Sequence, residues 1–327
     1  MSKKHAYAVV TALALLAAGC ASNSNSGSGG ASGGATKHWK ITLIAGTTAD
    51  NFYVTMNCGA QAEAKKLGVT YEFTGPSHFD APTQIPIVNS VTGKHPDAVL
   101  IAPTDVDALV QPMKQMQAAG IKVVEVDTHV SDPSISVSKI ASDNEKGGQL
   151  AADTLASLIG GSGTVMVVNV NPGISTTDAR DKGFKAQMAA KYPGIKVLTT
   201  QFDNDDQAKA AQILTSTYAA HPDLKGVFAA NTISAEGVAT GIRNAKATGK
   251  IKTVGFDAEP QSVQDLTNDV VQALIAQQPA LIGSVGVEQA VNALEGKPVQ
   301  AQVGTDLVPI TKASMGGMSN FFYKSSC

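Results

Sequence analysis

Several residues able to bond hydroxyl groups stand just beyond short apolar runs of this sequence. Asp50, Phe52 and Tyr53 follow the run that opens at Ile41, and Asp127 follows Ile121 to Val126. Asn231 follows Gly226 to Ala229, Phe256 and Asp257 follow Thr253 to Gly255, and Gln277 follows Val270 to Ala276. Arg180 sits near the start of a helical stretch, Asp178 to Lys191. Ionised carboxylates accept strong hydrogen bonds from hydroxyls, while guanidinium and amide groups donate in return. Aromatic faces cover the C–H side of a sugar ring. Taken singly, each Asp or Asn is equally well placed to cap a helix or make a turn. Taken together, they suit a small polyhydroxylated ligand.

Catalytic patterns do not accompany this set. Gly46-Thr47-Thr48-Ala49-Asp50 lacks the glycine spacing of a dinucleotide-binding turn. Gly160-Gly161-Ser162-Gly163 precedes a strand, so no helix N-terminus follows to hold a phosphate. There is no nucleophile elbow, HExxH or CxxC. Asp127 and His129 are close but have no evident nucleophile beside them. The expectation is a binding protein without catalysis, cofactor or metal.

The elements that must position these residues alternate. Ile41 to Ala45, Val69 to Phe73, Ala98 to Ala102 and Ile121 to Val126 read as strands. Between them lie amphipathic helices at Tyr53 to Leu67, Thr83 to Thr92 and Ala108 to Ala119, the first and last closed by Gly68 and Gly120. The pattern restarts with a helix at Gly147 to Ile159. Strands follow at Thr164 to Val168, Lys196 to Thr200, Gly226 to Ala229, Thr253 to Gly255 and Val270 to Ala276. Helices are expected at Asp178 to Lys191, Gln207 to Ala219, Ala235 to Ala247 and Pro279 to Leu294. Such βα alternation predicts an α/β fold with two doubly wound parallel-sheet lobes. In such sheets ligands bind beyond the C-terminal strand ends, where the polar set falls.

Composition agrees with an exported globular protein. The chain has 327 residues, 43% apolar, with 25 Lys plus Arg against 27 Asp plus Glu. That balance gives no basic footprint for nucleic acid. Lys3 and Lys4 precede an apolar stretch, Ala6 to Ala17, that suits a signal peptide over 1–19. Leu16-Ala17-Ala18-Gly19-Cys20 resembles a lipobox, with Ala17 where Leu is preferred; lipidation of Cys20 is expected, the alternative being simple cleavage. Residues 20–37 read as a Ser/Gly-rich tether, making the lipid the sole membrane contact. Cys58 and Cys327 leave two readings: a disulfide tying the tail to the N-terminal part, or a buried Cys58 and a free Cys327.

Further stretches carry a family resemblance. These are Asn51-Phe52-Tyr53-Val54, Ile101-Ala102-Pro103-Thr104-Asp105, Ile140-Ala141-Ser142-Asp143-Asn144, His221-Pro222-Asp223, Val227-Phe228-Ala229-Ala230-Asn231 and Val254-Gly255-Phe256-Asp257. In order and spacing, Lys40 to Ile310 resembles the bacterial periplasmic sugar-binding proteins of the ribose-binding type. The resemblance implies a type I periplasmic binding protein fold with a three-segment hinge near 141–143, 277–279 and 304–306. The lobes would be 38–141 plus 279–305 and 142–278 plus 306–327. It also implies capture of a monosaccharide or polyol by a monomer, with delivery to an ABC permease and its ATPase. The alternative is a sensing component that reports to a chemoreceptor or kinase. The protein would be lipid-anchored on the outer face of the plasma membrane or periplasmic. By motif, Asp50, Phe52, Tyr53, Asp127, Arg180, Asn231, Asp257 and Gln277 match the family's ligand set, with Phe256 beside them. Two positions depart from it: Thr128 stands where the ribose pattern has Arg, and Asp205 where it has an aromatic. Both point away from ribose, toward another pentose, a hexose or a polyol.

Overall fold

The computed structural model describes residues 38–327; the expected signal segment, Cys20 and tether lie outside the described residues. The chain runs β1 (Lys40–Ile44), α1 (Asn51–Leu67), β2 (Thr70–Thr74), α2 (Ala81–Gly93), β3 (Ala98–Ile101), α3 (Val110–Ala118), β4 (Lys122–Val126) and β5 (Ser138–Ser142). It continues with α4 (Asn144–Leu158), β6 (Gly163–Asn169), α5 (Ser175–Lys191), β7 (Ile195–Val197), β8 (Gln201–Phe202), α6 (Gln207–Ala220), β9 (Leu224–Ala229) and α7 (Thr232–Asn244). Then come β10 (Lys252–Phe256), α8 (Pro260–Thr267), β11 (Ala273–Ala276), α9 (Pro279–Leu294), β12 (Gln302–Thr305) and β13 (Val308–Thr311).

Two sheets result. The first has the order β12-β5-β4-β3-β1-β2 and is parallel throughout. The second has the order β13-β11-β10-β9-β6-β7, with β8 also on β6; β13 alone runs antiparallel. β3 (AVLI) is buried at every position, and β6 and β9 nearly so. Helices cover both faces of each sheet, which demands continuous apolar strands rather than alternating ones. The chain passes between sheets three times: after β5, after β11 and after β12.

The structure departs from the sequence reading at several elements. β5, α8, β12 and β13 are additional to it. The strand expected from Val270 starts only at Ala273, because Val270 and Val271 turn back to bond the Asp265 carbonyl. The strand expected over Lys196 to Thr200 is two short strands, β7 and β8, on successive stretches of β6.

Close helix packing fixes the parts that carry the polar set. A Cβ on Gly148 of α4 would lie 2.0 Å from the Arg180 carbonyl oxygen, and one on Gly183 of α5 would lie 2.0 Å from that of Glu145. Only glycine lets the two backbones approach so closely. The same device brings α9 onto α1, where a Cβ on Gly283 would lie 2.1 Å from the Met56 carbonyl oxygen.

The tail belongs to both lobes. After β13 it makes two 3₁₀ turns, Met315–Gly317 and Ser319–Phe321. The Tyr323 amide then bonds the Ala258 carbonyl. The Lys324 amide donates to Thr55 Oγ1 on α1 at 2.7 Å. Cys327 is disulfide-bonded to Cys58, also on α1, across a sequence separation of 269. Of the two readings the cysteines allowed, the paired one is the structure's.

Candidate functional site

The residues beyond the strand ends converge on one cavity between the lobes. From the first lobe come Thr47, Asp50, Phe52, Tyr53, Phe79 and Asp127; from the second come Val170, Ile174, Thr176, Thr177, Arg180, Asp205, Asn231, Asp257 and Gln277.

Each is held by local structure. Asp50 caps α1 and accepts from the Phe52 amide at 2.7 Å. Asp127 follows β4 with φ 64°, a left-handed turn that points its carboxylate back at the cleft. Tyr53 donates its hydroxyl to Asp127 Oδ2 at 2.7 Å, and its ring stacks on Phe79. Asn231 caps α7, accepts from the Ser234 amide and donates to Asp205 Oδ1 at 2.9 Å. Asp257 has φ 77°. Its Oδ1 accepts from Gln277 Nε2 at 2.8 Å and from the Tyr323 hydroxyl at 2.6 Å.

Among the described residues, Arg180 is the one cation on the cavity wall, and it is 3% exposed. Nε donates to Asn144 Oδ1 and Nη1 to the Ala230 carbonyl, each at 2.8 Å. The guanidinium carbon lies 3.7 Å from the centroid of the Phe256 ring. Such a group is oriented in advance, since Arg presents its donors from a planar fork.

Four carboxylates face this single guanidinium. Burial, then the charges of Glu259 and Asp257, push Asp50 well above the usual carboxylate range. Burial pushes Asp127 up to about 6, against the opposing pull of Arg180 and Tyr53. Burial also raises Asp205, with the Asn231 bond acting against it. Two side-chain oxygens on the wall, Thr177 Oγ1 and Gln277 Oε1, are buried without a hydrogen-bond partner. An orphaned buried acceptor is costly unless something binds it.

Thr128 and Phe256, both singled out from the sequence, do not line the cavity. Asp127's left-handed turn carries the Thr128 amide back to the Val126 carbonyl and buries its side chain in the first lobe. Phe256 is the last residue of β10 and alternates with Asp257, so its ring enters the second lobe's core beneath Arg180. Thr47, Phe79, Val170, Ile174, Thr176 and Thr177 line the cavity but were missed. Thr47 lies only three positions before Asp50 beyond the same strand, a signal that the strand-end rule could have caught. Phe79, in the loop before α2, gave none.

The lobes meet across the cleft. Asn51 donates to Glu259 twice, through its amide at 3.1 Å and Nδ2 at 2.7 Å. The His129 amide donates to Ser175 Oγ at 3.1 Å, and the Val106 amide to the Gly173 carbonyl at 3.1 Å. This is a closed form. Asn51→Asp would set a carboxylate against Glu259 and favour opening. The expected result is roughly tenfold weaker ligand binding, the scale of a lost hydrogen bond to a charged group; unchanged affinity by titration calorimetry would show that this contact does not bias closure.

The profile of the periplasmic binding protein domain matches residues 41–298. The chain belongs to the periplasmic binding protein family. Family members are binding proteins, and membership implies export. Among curated relatives, the ribose import binding protein RbsB of Escherichia coli is 33% identical over 274 residues, covering 83% of this chain and 90% of its own. An ABC transporter solute-binding protein of Agrobacterium vitis, solved with α-D-tagatopyranose, shares 44% identity and a TM-score of 0.86. It covers 88% of this chain and 100% of its own. A carbohydrate transporter solute-binding protein of Agrobacterium radiobacter, solved with D-arabinose, gives 29% and 0.83, covering 87% of this chain and 98% of its own. Among the described residues of this periplasmic binding protein, no helix is long and apolar enough to cross a membrane.

Proposed function

We propose that this protein encloses one monosaccharide or polyol between its lobes and delivers it to an ABC importer. The observation that carries the reading is the wall chemistry: four carboxylates, two orphaned oxygens and one fixed guanidinium in a small closed cavity. A neutral ligand rich in hydroxyl donors fits this surplus of acceptors, whereas an anion would face uncompensated carboxylates. Tyr53 and Phe79 supply apolar faces for ring C–H groups. The sugars bound by the Agrobacterium relatives, D-tagatose and D-arabinose, are the first to try.

Ligand contacts from both lobes favour the closed form by their differential affinity for it. The hinge is the three passages near 141–143, 277–279 and 304–306, joining lobes 38–141 plus 279–305 and 142–278 plus 306–327. The closed monomer would then dock on a permease with its ATPase, held near the membrane by a lipid on Cys20. Replacing Cys20 with alanine should release the protein from the membrane fraction. Continued retention would discount the anchor.

The test of function is a thermal-shift screen against pentoses, hexoses, polyols, amino acids and nucleosides. A ligand at a hundredfold excess over its dissociation constant adds about 2.7 kcal/mol. A shift confined to amino acids or nucleosides would overturn the sugar reading.

Binding should also depend on pH. Hydroxyl donors favour the ionised form of Asp127, so its pKa of about 6 falls when ligand binds. Affinity should therefore rise as pH increases toward about 6, by up to tenfold per unit for one proton, and level off above it. Stability of the free protein moves the other way. Asp127's folded pKa lies above its unfolded value of 3.8, so its contribution is fullest below that value and is lost as pH rises to about 6. Calorimetry across pH, with Asp127→Asn as control, reads both.

A further inference from the structure

We propose that the C-terminal segment is part of the ligand site: Tyr323 is a positioning residue that fixes Asp257 and Gln277, and the Cys58–Cys327 bond holds it there. The inference rests on the reading of the cavity as a sugar site.

Tyr323 does not line the cavity, but it touches what does. It is 5% exposed. Its hydroxyl donates to Asp257 Oδ1 at 2.6 Å and accepts from the Gln277 amide at 3.2 Å. Gln277 Nε2 shares the same carboxylate oxygen. With Oδ1 occupied twice, the carboxylate cannot turn, and Oδ2, bonded only by Thr232 Oγ1 at 3.3 Å, is the oxygen left for a ligand. Gln277's own Nε2 is used on Asp257, which leaves its orphaned Oε1 as the atom available to the ligand. One phenol hydroxyl thus holds the Asp257 carboxylate and the Gln277 main chain, and through Asp257 the Gln277 side chain.

The segment is held at both ends of this contact. On one side the Tyr323 amide bonds the Ala258 carbonyl of the second lobe. On the other, Lys324 bonds Thr55 and Cys327 is joined to Cys58, both on the first lobe's α1. The Tyr323 ring meets the Phe52 ring edge-on at 5.8 Å between centroids. The segment is therefore a fourth passage between the lobes, closed covalently, beside the β11–α9 passage that carries Gln277. Without the bond, the residues after Tyr323 would be held to α1 by the part-buried Lys324–Thr55 contacts and exposed polar contacts alone.

The experiment compares the full chain with Tyr323→Phe, with Cys58→Ser/Cys327→Ser, and with the triple variant, by calorimetry against the sugar found in the screen and its monodeoxy analogues. Tyr323→Phe keeps the ring on Phe52 and should bind about tenfold more weakly. For the analogue lacking the hydroxyl that meets Asp257, the two proteins should bind alike, which a general loss of packing would not produce. The double-serine variant should lose about threefold, and the triple variant no more than Tyr323→Phe alone. Wild-type affinity in Tyr323→Phe would overturn the positioning role, and additive losses in the triple variant would overturn the link to the disulfide. If no sugar binds the unmodified chain, the reading of the cavity fails instead.

Discussion

Arg180→Ala is expected to weaken ligand binding by a hundredfold to a thousandfold. The guanidinium is the one positive charge among four wall carboxylates, and it is buried with two of its donors committed to Asn144 and Ala230. Removing one partner from a buried charged set costs about 3–5 kcal/mol, because the groups left behind lose their counter-charge. The pull of Arg180 on Asp127 also disappears, so Asp127 should titrate above its present value of about 6. Arg180→Lys should recover only part of the affinity. An ammonium cannot keep both protein bonds, lie over Phe256 and still face the cavity. Calorimetry with the cognate sugar checks the loss, and NMR titration of Asp127 checks the shift. A loss under tenfold would mean that the cation serves the fold and not the ligand.

Gly183→Ala should lower stability by about 2–3 kcal/mol although it touches no ligand. Its new methyl would fall 2.0 Å from the Glu145 carbonyl oxygen, a backbone atom that cannot swing aside. Helices α4 and α5 must separate, which exacts an overpacking cost of this size. The expected Tm is about 3–5 °C lower by scanning calorimetry. Arg180 rides on α5 and bonds Asn144 of α4, so the displacement also reaches the cavity and affinity should fall. A variant as stable as the parent would show that the helix pair has slack which the packing does not suggest.

The sequence was most informative where burial is continuous. β1, β3, β4, β6 and β9 are runs of apolar residues that a two-sided parallel sheet requires, and their ends pointed to the cavity. β5 (SKIAS), β12 (QVGT) and β13 (VPIT) are short and polar or proline-containing, so their pairing is decided by neighbours far along the chain. The same limit governs the site. Asp127 and Asp257 follow strands directly, Asn231 and Asp50 lie two and six positions beyond theirs, and all four could be read from position. Phe79 lies in the six-residue loop between β2 and α2, and Tyr323 arrives from far along the chain. Thr128 and Phe256 were adjacent to wall residues, but adjacency along an extended or left-handed backbone sends neighbouring side chains in different directions.

The pairing of β12 with β5 also has a consequence for the order in which the protein can be completed. Lys139 is in register with Gln302, and α9, which covers the same sheet and α1, begins only at Pro279. A nascent chain that has released everything up to the end of β11 still lacks an outer strand and a covering helix of its first lobe. The N-terminal half therefore has no finished unit to settle into while synthesis continues, and one edge of its sheet stays unpaired until the last part of the chain emerges. The interleaved connectivity therefore postpones completion of the first lobe until β12 has been made.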